Sequence, residues 1–179
     1  MKTIGFQGGY LTPSPAYAAL NTTYLYQKPN GYVPTREQVE EDLKQYLQTS
    51  MPSCMTDLRE ALPGTNITEQ AFTTAPLIRD QDVFFQLTWP FTASKGETTF
   101  SFEQFANTVD IRLALILDNA QAMVVSQQNN NDLIDLDELQ GENLELVFFP
   151  YKQTLTTLAN DLEYKTEEPP YRFIFGHQR

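Results

Sequence analysis

The feature that most constrains this chain is a change of hydrophobic period at Asn66. Upstream of it, Val39, Leu43, Tyr46 and Leu47 recur at the three- and four-residue spacing of one helix face. Downstream, Val83, Phe85, Leu87, Trp89 and Phe91 alternate, which puts five apolar side chains on one side of a strand. A chain that begins with a helix and continues as successive strands reads as α+β, a mainly antiparallel sheet with helices packed on one face. At 179 residues it is expected to be a single domain spanning 1–179.

The helix opens at Pro34-Thr35-Arg36-Glu37-Gln38, where Thr35 is a good N-cap and Gln38 stands where a capping box closes. It is expected to run from Thr35 to about Ser50 and to break or kink at Pro52. A second helical segment, Ser53 to Leu62, would turn Cys54, Met55, Leu58 and Leu62 inward, so Cys54 reads as core filler. Residues 67–78 read as one strand, joined to the next by the turn Arg79-Asp80-Gln81-Asp82. Trp89 shares a face with four apolar residues and belongs to the core, and Pro90 must then lie on an edge or at a bulge. Ala93-Ser94-Lys95-Gly96 turns into a short strand, Glu97 to Phe102, and the alternation of Val109, Ile111, Leu113, Leu115 and Leu117 predicts another. Asp118 would cap a helix fading into Gln127-Gln128-Asn129-Asn130-Asn131, with a short acidic helix from Asp132 to Leu139. Strands are expected over 144–149, 154–163 and 171–175.

Residues 1–33 differ from the helix-and-sheet core expected over 34–179. Gly8-Gly9, Pro13 and Pro15 forbid long regular structure there, and five of the nine tyrosines (Tyr10, Tyr17, Tyr24, Tyr26 and Tyr32) fall within the segment. Such a segment either straps itself onto the sheet or presents its rings as a binding surface for glycans or a partner protein.

Twelve basic against 23 acidic residues give a formal charge of −11, with no basic stripe. Phosphate backbones and anionic membrane surfaces repel such a chain, so nucleic-acid binding and membrane docking by the domain itself are not expected. No run of about twenty apolar residues occurs, and Met1-Lys2-Thr3-Ile4-Gly5-Phe6 does not have the pattern of a secretory leader. Two triplets, Asn21-Thr22-Thr23 and Asn66-Ile67-Thr68, match the N-glycosylation acceptor, making Asn21 and Asn66 candidate sites.

Catalytic chemistry is thinly provisioned. There is one histidine, His177, in a C-terminal tail, and one cysteine, Cys54, which cannot form an internal disulfide. Asp132, Asp135, Asp137 and Glu138 form the densest carboxylate cluster. Leucine and isoleucine interrupt its spacing, and it lacks the glycine that a calcium loop needs for its sharp turn. No metal, cofactor or catalytic set is assigned.

Further features carry a resemblance. Ile4-Gly5-Phe6-Gln7-Gly8-Gly9-Tyr10 precedes Thr23-Tyr24-Leu25-Tyr26; Val33-Pro34-Thr35 opens an acidic helix ending in Met51-Pro52-Ser53-Cys54. Asp82-Val83-Phe84-Phe85 and Leu87-Thr88-Trp89-Pro90 lead to Ser94-Lys95-Gly96, and the chain closes on Tyr171-Arg172-Phe173-Ile174-Phe175-Gly176. In these, nearly the whole chain resembles the extracytoplasmic domain of a family of membrane-anchored proteins from small-genome archaea. Their precursors carry a short pilin-like transmembrane helix before a Gly-Gly-Tyr segment. The resemblance implies a cell-surface location and an anchor helix preceding this sequence; it supplies no activity. Relatives tend to carry extra cysteines near the region that here reads Ile134-Asp135-Leu136-Asp137, so no disulfide or metal role carries over from them.

Together these features favour a non-enzymatic, extracytoplasmic domain that contacts another surface protein or a glycan. The rivals are a hydrolase acting on envelope polymers through a carboxylate pair and a small-ligand sensor. Two facing acids in a deep cleft would mark the first, and an enclosed apolar pocket the second.

Overall fold

The computed structural model describes residues 16–17, 22–28, 30–139, 143–151, 153–163 and 171–178. Its strands form two sheets. The first is ordered β1 (Ala16–Tyr17), β2 (Thr22–Gln27), β10 (Tyr171–Gln178), β9 (Thr154–Asp161), β8 (Leu144–Tyr151), with β3 (Asn30–Gly31) also paired to β2. Among the described strands only the β2–β10 pairing is parallel. The second sheet is built around β6 (Val83–Lys95). One side of β6 takes β5 (Thr73–Ile78) and β4 (Asn66–Glu69) end to end, and the other side takes β7 (Thr98–Val109). With two α-helices and mostly antiparallel pairing among the described residues, the protein is α+β. One continuous apolar core, from Leu25 and Val39 through Ile78 and Ile111 to Phe173 and Phe175, joins both sheets.

Helix α1 (Arg36–Ala61) carries the full capping box: the Gln38 amide donates to the Thr35 hydroxyl, and the Thr35 amide donates to the Gln38 side chain. It does not stop at Pro52. Around the missing N–H, the Thr49 and Ser53 hydroxyls donate to carbonyls of the preceding turn, and Met55 is buried beyond it, so the helix continues for two more turns. The row facing the sheet is Val39, Leu43, Leu47, Met51 and Met55. A four-residue step drifts about 40° around a helix at each repeat, and this drift carries the inward face past Cys54. The expected burial of Cys54 is therefore wrong: it is exposed.

Three strand expectations are corrected. Residues 67–78 divide into β4 and β5, because the chain leaves β6 at 70–72 and Phe72 turns onto Trp89, ring centroids 5.4 Å apart. The strand expected to end at Phe102 continues to Val109. The expected strand over 109–117 is mostly helix, since α2 (Leu113–Asn129) starts at Leu113. In so apolar a stretch both periods fit. Ala114, Ile116, Leu117, Ala120, Met123 and Val124 satisfy the helical one, and all are buried. Asp118 lies inside this helix and does not cap it; the acidic stretch after it yields only a short 3-10 turn, Leu136–Glu138.

The start of α2 is instead anchored from another strand. Asp161 of β9, fully buried, accepts the Arg112 backbone N–H at 2.9 Å and its guanidinium at 2.6 and 3.1 Å. A carboxylate at the positive end of the helix and a buried ion pair are thus one device.

Pro90 sits at a bulge, one of the two places expected for it. Trp89 and Pro90 lie between Thr88, paired to Gln104, and Phe91, paired to Phe102, so two β6 residues oppose Glu103 alone. Trp89 is buried. His177 is not in a loose tail: it is fully buried in β10, hydrogen-bonded to Thr157 and Gln127.

Candidate functional site

The described tyrosines of the segment, Tyr24, Tyr26 and Tyr32, do not share one exposed surface. Tyr10 and Asn21 lie outside the described residues, as does the Tyr17 side chain, although the Tyr17 backbone pairs in β1. Tyr24 is half-buried and lies against Gly176 of β10, where an added Cβ would come within 2.8 Å of its ring. Tyr26 must be withdrawn as a surface residue. It is 2% exposed, with its ring in the core and its hydroxyl donating to Asp132 at 2.7 Å. That hydrogen bond to a carboxylate, reinforced by burial, raises the Tyr26 pKa above the ordinary phenol value. Tyr32 is 54% exposed, with its hydroxyl accepting from Gln38. Asn66 is exposed at the start of β4, so its triplet is accessible.

Four of the carboxylates are held in structural contacts. Asp132 pairs with Lys28 at 2.7 Å and receives the Tyr26 hydroxyl. Asp80 and Asp118, the two acids lining one surface hollow, are both held by Arg36, at 3.1 and 2.9 Å. This ties the start of α1 to the β5–β6 turn and to α2 and is a strut between elements. Asp135 accepts the Asp137 amide and begins the 3-10 turn. Among the described residues, no group of three or more His, Cys, Asp or Glu side chains is placed to hold a metal ion, and no helix is long and apolar enough to cross a membrane.

Exposed apolar surface gathers instead on the second sheet. Helix α1 covers its β5 side, burying Thr74, Pro76 and Ile78, and leaves the β6–β7 side open. A groove of about 330 Å³ remains between them, with Leu47 and Met51 of α1 forming one wall and Phe85, Leu87, Phe105 and Val109 the other. Among the described residues, the polar ones along it are Thr74, Gln86 and Asn107, and none that lines it is charged. The groove is partly open to solvent and not an enclosed pocket.

From Phe105 the apolar surface continues through the β6–β7 ribbon. Phe105 stacks on Phe91 at 5.9 Å with the rings nearly parallel, Phe91 on Phe102 at 5.0 Å, and Trp89 meets Phe91 edge-on at 6.0 Å. The bulge at Trp89-Pro90 allows this clustering, because it increases the local twist and re-aims side chains that a flat ribbon would hold apart. Phe100, Phe102 and Phe105 remain 61%, 46% and 37% exposed. A second hollow of about 290 Å³, on Pro90, Phe91 and Phe102, is edged by Thr68, Gln70 and Glu103.

Sequence reasoning missed these residues. Phe100 and Phe102 were legible as alternating positions in a short strand, but what leaves them uncovered is the placement of α1 across the sheet. The signal available was negative: residues 98–109 contain no Lys, Arg or Pro, the usual guards of an edge strand. No family model, curated protein or solved structure matches this chain.

Proposed function

We propose that this chain is a non-enzymatic contact domain that binds a protein partner by seating an apolar side chain of that partner in the groove between α1 and the β6–β7 ribbon. The observation that carries this reading is the groove itself, an uncovered apolar channel continuous with three exposed phenylalanines. Contiguous apolar surface of this kind on a folded chain marks a place of contact. A glycan is the weaker occupant, since sugars need several converging polar groups and the lining offers three uncharged ones. The hydrolase reading draws no support from Asp80 and Asp118, which share one guanidinium. The sensor reading needs enclosure that an open groove does not give. A cell-surface, extracytoplasmic setting goes with this proposal, supported by the exposed Asn66 triplet and the sequence resemblance described above.

Selection from a displayed random-peptide library, run beside a glycan array, tests the reading. The expected result is a set of peptides sharing an apolar anchor, whose binding is lost on Leu47→Asp with the fold retained. Glycan binding indifferent to Leu47→Asp, or peptides that bind the variant equally well, would overturn it.

A further inference from the structure

We propose that β7 is a homodimerisation edge, pairing antiparallel with β7 of a second copy about a two-fold axis at Ser101. This goes beyond the contact reading and does not depend on the groove, whose β7 wall lies at the opposite end of the strand.

Three observations lead there. Among the described residues β7 pairs only with β6, so its other edge, twelve residues long and exposed at all but Val109, is unpaired by any strand; the Thr108 N–H alone is taken, by the Asn107 side chain at 3.0 Å. Natural edges of that length are blunted by Lys, Pro or a bulge in the edge strand. Residues 98–109 contain no Lys, Arg or Pro, and the extra residue of the bulge belongs to β6. An open edge left unguarded is a template for another strand.

The sequence of the edge also fits itself. A two-fold contact requires self-complementarity, each position meeting its mirror position. Around Ser101 the chain reads Thr98-Thr99-Phe100-Ser101-Phe102-Glu103-Gln104, aromatic on both sides of the centre and polar beyond. Pairing centred on Ser101 sets Phe100 opposite Phe102 of the second copy, twice over, on one face of the extended sheet. Thr99 then stands opposite Glu103, and Thr98 opposite Gln104. Cross-strand aromatic pairs are among the stabilising ones, and Phe102 is already fixed by stacking on Phe91 at 5.0 Å. Phe100, at 61% the most exposed aromatic ring of the described residues, loses the most water.

Charge rules out one rival register. Glu103 is the only charged residue in 98–109. A centre at Glu103 would set the two carboxylates face to face. With Ser101 on the axis they lie four residues apart along the strand, about 13 Å, which exceeds the screening length of about 8 Å at physiological salt. The resulting dimer carries two grooves, so a partner with two anchors would be held bivalently.

Sedimentation of the full chain over a concentration series, under reducing conditions that exclude a Cys54 disulfide, tests the proposal. The expected result is a monomer–dimer equilibrium. Thr99→Lys, which places an ammonium opposite Glu103 twice, should tighten it about fivefold, and Thr99→Glu should weaken it about as much. Phe100→Lys should reduce the dimer further while leaving the circular dichroism spectrum unchanged. In a Cys54→Ser background, Ser101→Cys should link the two copies on mild oxidation and Gln104→Cys should not. A chain that stays monomeric throughout, or a dimer indifferent to both Thr99 substitutions, overturns the proposal. Neither result bears on the groove, which Leu47→Asp tests separately.

Discussion

The two sheets use the same materials to opposite ends. In the first, β10 presents Tyr171, Phe173, Phe175 and His177 to a helix that buries 10 of its own 17 residues. In the second, β7 presents Phe100, Phe102 and Phe105 to solvent, because α1 reaches β5 and stops short. Both sheets are mainly antiparallel and both carry alternating aromatic residues. What differs is the helix laid across them. Helix α2 is apolar on most sides and wedged into the core, with its start fastened by Asp161. Helix α1 buries only Val39, Leu43 and Met55, a narrow stripe that can cover one side of a sheet and no more. Aromatic content therefore does not distinguish a core strand from a contact strand; coverage does.

Matched ring deletions put that contrast to the hardest test. Phe173 is fully buried and meets Phe175 edge-on at 5.9 Å, so Phe173→Ala leaves a cavity in the core joining both sheets. It should cost about 3–5 kcal/mol of unfolding free energy by denaturant titration. Phe100→Ala, on an equally alternating strand, should change the stability of the monomer by less than about 0.5 kcal/mol. Comparable losses from the two would mean that the ribbon is part of the folded core and its exposure misleading.

The parts of this organisation legible in the sequence are those set locally. The Thr35–Gln38 cap, the turn at Arg79–Asp82 and the terminal strands each depend on residues close in the chain, and they lie where their signals put them. Pro90 could be narrowed to an edge or a bulge, because a proline inside a strand leaves few other places. What escaped were features set at a distance. The α2 start is fixed by Asp161, 49 residues away, and no local cap announces it. Cys54 faces solvent because the buried row of α1 drifts as it crosses the sheet. His177, near the chain end, reads as mobile until Thr157 and Gln127, 20 and 50 residues away, are seen to hold it. The groove was least legible, since it is an absence of covering residues produced by where α1 lies.

A smaller effect sharpens the account of how tightly the first sheet is closed. Gly31 of β3 packs beneath α2, and a Cβ added there would fall 2.1 Å from Cγ1 of Val124. Val124 is buried and β-branched, so its methyl group has no other staggered position that is free of cost. Gly31→Ala should therefore destabilise by about 1–3 kcal/mol as overpacking. Adding Val124→Ala should recover part of that loss, giving a non-additive cycle. A neutral Gly31→Ala would show that β3 can move away from α2, and that the first sheet is looser than its burial implies.

The smallest effect expected at neutral pH concerns the hydroxyl of Tyr171. The residue is 2% exposed, and its hydroxyl has no hydrogen-bond partner among the described residues. Burial pushes its pKa well above the ordinary phenol value. Below about pH 10 both folded and unfolded chains keep the proton, and the group adds no pH dependence. Above that value the unfolded chain releases it while the folded chain holds it. Stability should then fall as pH rises, with a slope from this residue approaching about 1.4 kcal/mol per pH unit. Tyr171→Phe removes an unsatisfied polar atom without opening a cavity. It should leave stability at pH 7 unchanged or raise it by up to about 1 kcal/mol, and it should flatten the alkaline slope. Thermal unfolding of both proteins between pH 7 and 11 reads the two quantities together. A loss of more than about 1 kcal/mol at pH 7 would show that the hydroxyl has a partner after all. An unchanged alkaline slope would show that the phenol is wet, and that the first sheet is as open at this end as the second is at β7.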